Sequence, residues 1–164
     1  MKHGHDHDLA SDVKRKVGKK VWNNYYKFAI VRNPWDRYLS IYKNRRTNQG
    51  RFKKYKTFKS WIYSLYRVFK KRGNLPYAFG DQLSWLSDEN GKVLVDYVGR
   101  FENYKEEWRK ICKVIKARKR LMHANKTDHK HYSMYYGDKM VKMVEEMAKK
   151  DIEHFGYTFE DRRK

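Results

Sequence analysis

The chain has one cysteine, two prolines and no long apolar run, and it has half as many acidic as basic residues. With Cys112 alone, no intrachain disulfide can form; the residue lies in an apolar helical pattern and reads as core. No stretch approaches the roughly 20 apolar residues of a membrane span. The first residues, MKHGHDHDLASD, show no signal-peptide pattern. The only prolines are Pro34 and Pro76, and there is no internal repeat and no Pro- or Ser-rich linker.

What is present is charge and aromatic surface. Forty Lys and Arg against 19 Asp and Glu give a formal charge of +21. Such a field favours polyanionic partners: nucleic acid, anionic polysaccharide, acidic lipid or a phosphorylated cofactor. A hydrophobic fraction of 40% with 16% aromatics in 164 residues gives core-forming material for one domain and argues against disorder.

The most informative segment is Lys27–Tyr42, KFAIVRNPWDRYLSIY. Its apolar run, Phe28–Val31, stops at Arg32. Asn33 can cap a helix and Pro34 suits a first turn, where the missing N–H costs nothing. Trp35, Tyr38, Leu39 and Tyr42 then recur at helical spacing. The pattern predicts a buried strand, a tight turn and a helix, with Arg32 at the strand's carboxyl end and Ser40 further along the helix. An arginine beside a helix N-terminus can hold a phosphate. The alternative is an ion pair of Arg32 with Asp36 or another carboxylate, with Ser40 simply packed.

Beyond this segment, Arg45–Lys56 is a basic connection. Phe58, Trp61, Ile62, Leu65, Tyr66 and Phe69 predict an amphipathic helix ending near Gly73. Residues 74–80 read as loop, Gln82–Leu86 as a short apolar piece and Asp88–Gly91 as a turn. Val93–Val98 reads as a second core strand closed by Gly99 and Arg100. Trp108, Ile111, Cys112 and Ile115 predict another helix, and Arg118–Lys130 a cationic loop. Met140, Val141, Val144, Met147 and Ile152 predict a single last helix. Residues 1–12 are expected to be flexible. Alternating strands and helices argue for an α/β layer architecture with a mostly parallel sheet.

VRNPWDRYLSIY resembles the 3′-phosphate-binding motif of the carbohydrate sulfotransferases, the Golgi-type family that includes heparan sulfate 2-O- and chondroitin/dermatan sulfotransferases. QLSWLSDENGKVLVDYVGRFENYKEEW resembles that family's central segment; HANKTDHKHYSMYYGDKM and DIEHFGYTFED resemble its carboxyl-terminal one. The likeness runs from about His3 to Asp161. It implies an incomplete P-loop-NTPase-like sulfotransferase fold, with a small, mostly parallel sheet flanked by helices, over residues 1–164 as one domain.

The resemblance also implies roles. Arg32 and Ser40, eight apart, match the pair that holds the 3′-phosphate of 3′-phosphoadenosine 5′-phosphosulfate (PAPS), the sulfate donor. Lys126 and Thr127 match a late loop that closes over the nucleotide. His3-Gly4-His5 resembles an element that supplies the general base, His5 being preferred over His3. Arg37, Arg45 and Arg46 are candidates for holding a sulfated or uronate-bearing glycan acceptor. No metal is implied.

The family's lysine-bearing 5′-phosphosulfate loop, of the type IPKTAGTS, has no counterpart here; the chain is expected to be truncated relative to the family, the alternatives being one piece of a split protein or a degenerate relative. The expected activity is sulfuryl transfer from PAPS to a carbohydrate hydroxyl, with an inactive truncated chain as the other outcome. The competing function is a non-catalytic basic module for anionic polysaccharide or nucleic acid, which charge alone supports. No specific nucleic-acid partner is expected, because no nucleic-acid motif appears. The chain by itself reads as soluble and cytoplasmic; full-length eukaryotic relatives are Golgi membrane proteins.

Overall fold

The computed structural model describes residues 8–47, 52–118 and 130–163. In chain order these residues form α1 (Ala10–Asn24), β1 (Phe28–Val31), α2 (Pro34–Thr47), α3 (Phe58–Arg72), α4 (Leu83–Leu86), β2 (Tyr97–Arg100), α5 (Tyr104–Ile115), α6 (Asp138–Met147) and α7 (Lys149–Phe155). The two strands pair in parallel, so this is the expected α/β arrangement of a small parallel sheet flanked by helices. No helix among the described residues is long and apolar enough to cross a membrane. The chain divides into two compact units, one built from residues 1–31 and 81–120, the other from 32–80 and 121–164.

In the first unit, β1 and β2 pair in the register Phe28 with Tyr97 through Val31 with Arg100. Helix α5 packs on β2, and α1 packs on α4. The second strand lies later than its β-branched run suggests. Val93 bridges back to Ser87 in antiparallel sense, and Asp96 accepts from the Lys27 amide at 2.8 Å. Val93–Asp96 thus form the return arm of the 88–91 turn. Parallel pairing starts only at Tyr97, opposite the first residue of β1, and it takes in Gly99 and Arg100, which the sequence pattern placed at the strand's close. Gly99 is required there by close approach. A Cβ on it would lie 2.8 Å from Ile30 Cδ1 and 3.1 Å from Glu107 Cβ, separations no well-packed core accepts.

Helix α1 begins at Ala10, bends at Gly18 (φ 79°) and buries only Trp22. Its apolar positions Val13, Val17 and Val21 are diluted by five intervening Lys and Arg, which hides the helical period.

In the second unit, the aromatic face of α2 is the centre of the core. Trp35, Tyr38, Leu39 and Tyr42 are all buried, with Trp61, Ile62 and Leu65 of α3 and Met140, Val144 and Met147 of α6. Helix α2 packs against both α3 and α6. Burying each side chain of this size contributes about 1.5–3 kcal/mol. Helix α3 opens on a reciprocal capping box between Thr57 and Ser60 and closes on Gly73 in the left-handed conformation (φ 72°), where an L side chain would be strained. The single last helix expected from the methionine face is two helices. Ala148 leaves the helical region (φ −115°, ψ 24°), so α7 starts afresh.

Candidate functional site

The strand β1 ends at Val31, and the next four residues build the start of α2. Asn33 caps it: its side-chain oxygen accepts the Trp35 amide hydrogen at 3.1 Å. Pro34 occupies the first helical position, where its fixed φ is already suitable. Arg32 immediately precedes this cap. Its Nε donates to Asp36 Oδ2 at 2.6 Å, with only 19% and 17% of the two side chains exposed.

The ion pair of Arg32 with Asp36, one of the two sequence-derived possibilities, is present through Nε. A charge-assisted bond of this kind fixes the plane of the group. Asp36 and Ser40 are four apart on α2, so they share a face. Arg32 reaches that face one turn short of Ser40, which is half-buried. The eight-residue spacing is thus the reach of an arginine across one turn plus one further turn of helix.

The first turn of α2 is held from several directions within the second unit. The Tyr136 hydroxyl donates to Trp35 O at 2.8 Å, and the indole Nε1 of Trp35 donates to Val141 O at 3.2 Å. Burial pushes the Tyr136 hydroxyl well above the ordinary phenol range, so it stays a neutral donor. The segment Tyr157–Phe159 returns to the same turn: the Phe159 ring lies edge-on to Trp35, 5.6 Å between centroids. Arg163 anchors the end of that segment through Asp138 at 2.7 Å and through Asp161.

The three candidate acceptor arginines are engaged with the protein's own loops. Arg37 donates to Gly80 O at 2.8 Å. Arg46 donates to the Tyr42 hydroxyl at 3.0 Å and to the carbonyls of Tyr55 and Lys56. Arg45 stacks over Phe52 and Phe79 at 5.5 and 5.0 Å. His3, His5, Lys126 and Thr127 lie outside the described residues, as does most of the cationic stretch 118–130. The structure therefore places Asp36 and Ser40 on one face of α2 with Arg32 reaching Asp36 from the preceding turn, and gives no position for His3, His5, Lys126 or Thr127.

Asn33 was read from sequence as the helix cap; Tyr132 and the segment 157–163 were not singled out as part of this region, and their only local signal was the aromatic run 132–136. Among the described residues no group of His, Cys, Asp or Glu could hold a metal ion. No glycine-rich turn carrying Lys-Ser or Lys-Thr follows either strand among the described residues.

In the first unit, the Tyr97 hydroxyl donates to the buried carboxylate of Glu107, which also receives Lys110 at 3.2 Å. The hydrogen bond from Tyr97 holds the Glu107 carboxyl below its ordinary value, and the same bond raises the Tyr97 hydroxyl.

A comparison with protein families finds that the model of the sulfotransferase family matches residues 2–158. Among curated proteins, an uncharacterized protein of Archaeoglobus fulgidus is 31% identical over 114 residues, covering 63% of this chain and 78% of that protein. No solved structure matches.

Proposed function

The chain belongs to the sulfotransferase family, and on that premise we propose that it serves sulfuryl transfer from PAPS to a hydroxyl of a carbohydrate acceptor. The observation that carries this reading is the placing of Arg32 beside the N-terminus of α2 with Ser40 on the same helical face. The partial positive charge of a helix N-terminus and a fixed guanidinium together favour a dianionic phosphate. In this reading Arg32 and Ser40 hold the 3′-phosphate of the donor, with Lys126 and Thr127 closing over the nucleotide.

In the transfer itself an acceptor hydroxyl oxygen attacks the sulfur. The bond between sulfur and the bridging phosphate oxygen breaks, and adenosine 3′,5′-bisphosphate leaves. The hydroxyl proton passes to a base, for which His5, then His3, are the candidates, since a neutral imidazole accepts protons near pH 7. The described residues supply the far end of the donor site. They fit the 3′-phosphate; they offer no lysine-bearing loop for the phosphosulfate, so grip on the reacting end is not assigned to them. Arg37, Arg45 and Arg46 shape the loops beside α2 against which an anionic glycan would lie.

The test is direct binding of adenosine 3′,5′-bisphosphate by calorimetry, with Arg32→Ala alongside. The expected result is saturable binding that the substitution abolishes. Binding that is absent, or indifferent to Arg32, while heparin or nucleic acid still binds in a salt-sensitive way, would replace this reading with that of a basic binding module.

A further inference from the structure

Asn33 is 3% exposed and its side chain has two jobs. The oxygen caps α2 through the Trp35 amide. The nitrogen donates to Thr158 O at 3.1 Å and, at a longer 3.4 Å, to the Tyr132 hydroxyl. That hydroxyl in turn accepts the Glu160 amide hydrogen at 2.8 Å. One side-chain amide thus ties the start of α2 to a segment 125 residues further along the chain. Capping alone would be met by Ser, Thr or Asp. A hydroxyl also accepts and donates, but from one short-armed oxygen; the amide carries its acceptor and its donor on separate atoms, so Oδ1 can cap the helix while Nδ2 reaches the Thr158 carbonyl.

We propose that Asn33 is a positioning residue for the phosphate site, tethering the α2 cap to the carboxyl-terminal segment so that its neighbour Arg32 is presented at a fixed distance from Ser40. This rests on the reading of Arg32 and Ser40 as the 3′-phosphate holders. The side chain of Arg32 is anchored at Nε by Asp36, but its backbone is set by the residue that follows it. Freeing Asn33 from Thr158 lets the cap shift, and misplacement of a donor by a fraction of an ångström weakens a bidentate contact while leaving the charge in place.

The discriminating probe is a pair of isomers with equal charge, adenosine 3′,5′-bisphosphate and adenosine 2′,5′-bisphosphate, titrated into the full chain. Asn33→Ser keeps a capping oxygen and removes the tether. It is expected to lose about five- to tenfold in affinity for the 3′,5′ isomer, the scale of one hydrogen bond, with the 2′,5′ isomer little changed. Tyr132→Phe, which retains the ring and the cap, is expected to narrow the same preference by about twofold, a smaller effect because its contact is longer.

An unchanged isomer preference in Asn33→Ser would overturn the inference and leave Asn33 a structural cap. Should that variant fail to fold, the preference measured in Tyr132→Phe decides in the same way. Arg32→Ala separates the two levels. If it erases the preference while Asn33→Ser and Tyr132→Phe keep it, only the positioning role falls. If Arg32→Ala leaves the preference intact, or the unaltered chain has none, the phosphate reading fails and the positioning role goes with it.

Discussion

The guanidinium of Arg32 and the carboxylate of Asp36 meet across one helical turn at 2.6 Å, both largely out of solvent. Here the counter-charge comes from the same short motif as the arginine. It holds the cation in place in the absence of ligand, at the cost of a negative charge near the proposed phosphate.

Asp36→Asn is therefore expected to destabilise the chain by about 1–2 kcal/mol, since it leaves a mostly buried cation with a weaker partner. For a chain of this length that lowers Tm by roughly 2–8 °C. Saturating adenosine 3′,5′-bisphosphate should raise Tm more in the variant than in the unaltered chain, because the phosphate then replaces the missing counter-charge. Thermal denaturation with and without ligand checks this; a smaller ligand shift in the variant would show that Asp36 is needed to aim Arg32.

Ser40→Ala removes a single half-buried hydroxyl from α2. The expected loss in bisphosphate affinity is about tenfold, the scale of one hydrogen bond to a charged group. Surface-type changes of this size move stability by less than about 0.5 kcal/mol. Calorimetric titration alongside a melting curve distinguishes a lost ligand contact from a loosened helix.

The Tyr97–Glu107 pair makes the first unit sensitive to acid. The Glu107 carboxyl is held below its ordinary value, chiefly by the Tyr97 hydroxyl. Its contribution is thus present above the unfolded-state value of about 4.3 and is lost as pH falls through the lower folded value. Glu107→Gln should flatten that acid limb of a stability-against-pH curve. At the other end, the raised Tyr97 hydroxyl contributes stability below about pH 10 that is lost as pH rises through its folded value. Tyr97→Phe should remove the alkaline limb, and denaturant midpoints across the pH range measure both.

Gly99→Ala places a methyl group 2.8 Å from Ile30 and 3.1 Å from Glu107. Overpacking of this kind costs about 1–3 kcal/mol. Gly73→Ala, at a left-handed helix end open to solvent, should cost about 1 kcal/mol through backbone strain alone. Chemical denaturation that ranks Gly73→Ala as the worse of the two would contradict the close packing of α5 on β2.

Local pattern served where local physics decides. The strand, cap and helix over residues 28–42, and the helix closed by Gly73, follow from side-chain period and terminal residues alone, while α2 runs on to Thr47 into a stretch read as a connection. The pattern placed β2 too early, because Val93, Leu94 and Val95 are as apolar as the residues of a strand. Their pairing is set by where β1 begins, a residue some 65 positions earlier in the chain. It missed α1, whose valines are interrupted by five cations, and it ran α6 and α7 together because both halves carry the same period on either side of Ala148.

The sequence by itself determined that an arginine follows a short strand, that a capped helix starts beside it and that a serine lies two turns along. Those are short-range facts, fixed by backbone preferences and helical geometry. The strand it read as buried has only Val31 buried, with Phe28 and Ile30 exposed. Only the tertiary structure decided that Asp36 takes the arginine's Nε, that Arg37 and Arg46 are spent on loop carbonyls, and that residues 158–160 reach back to Asn33 and Tyr132. Partners such as Asn33 and Thr158, 125 residues apart, leave no period or spacing to read, because what joins them is the packing of Trp35, Tyr136 and Phe159 in one core.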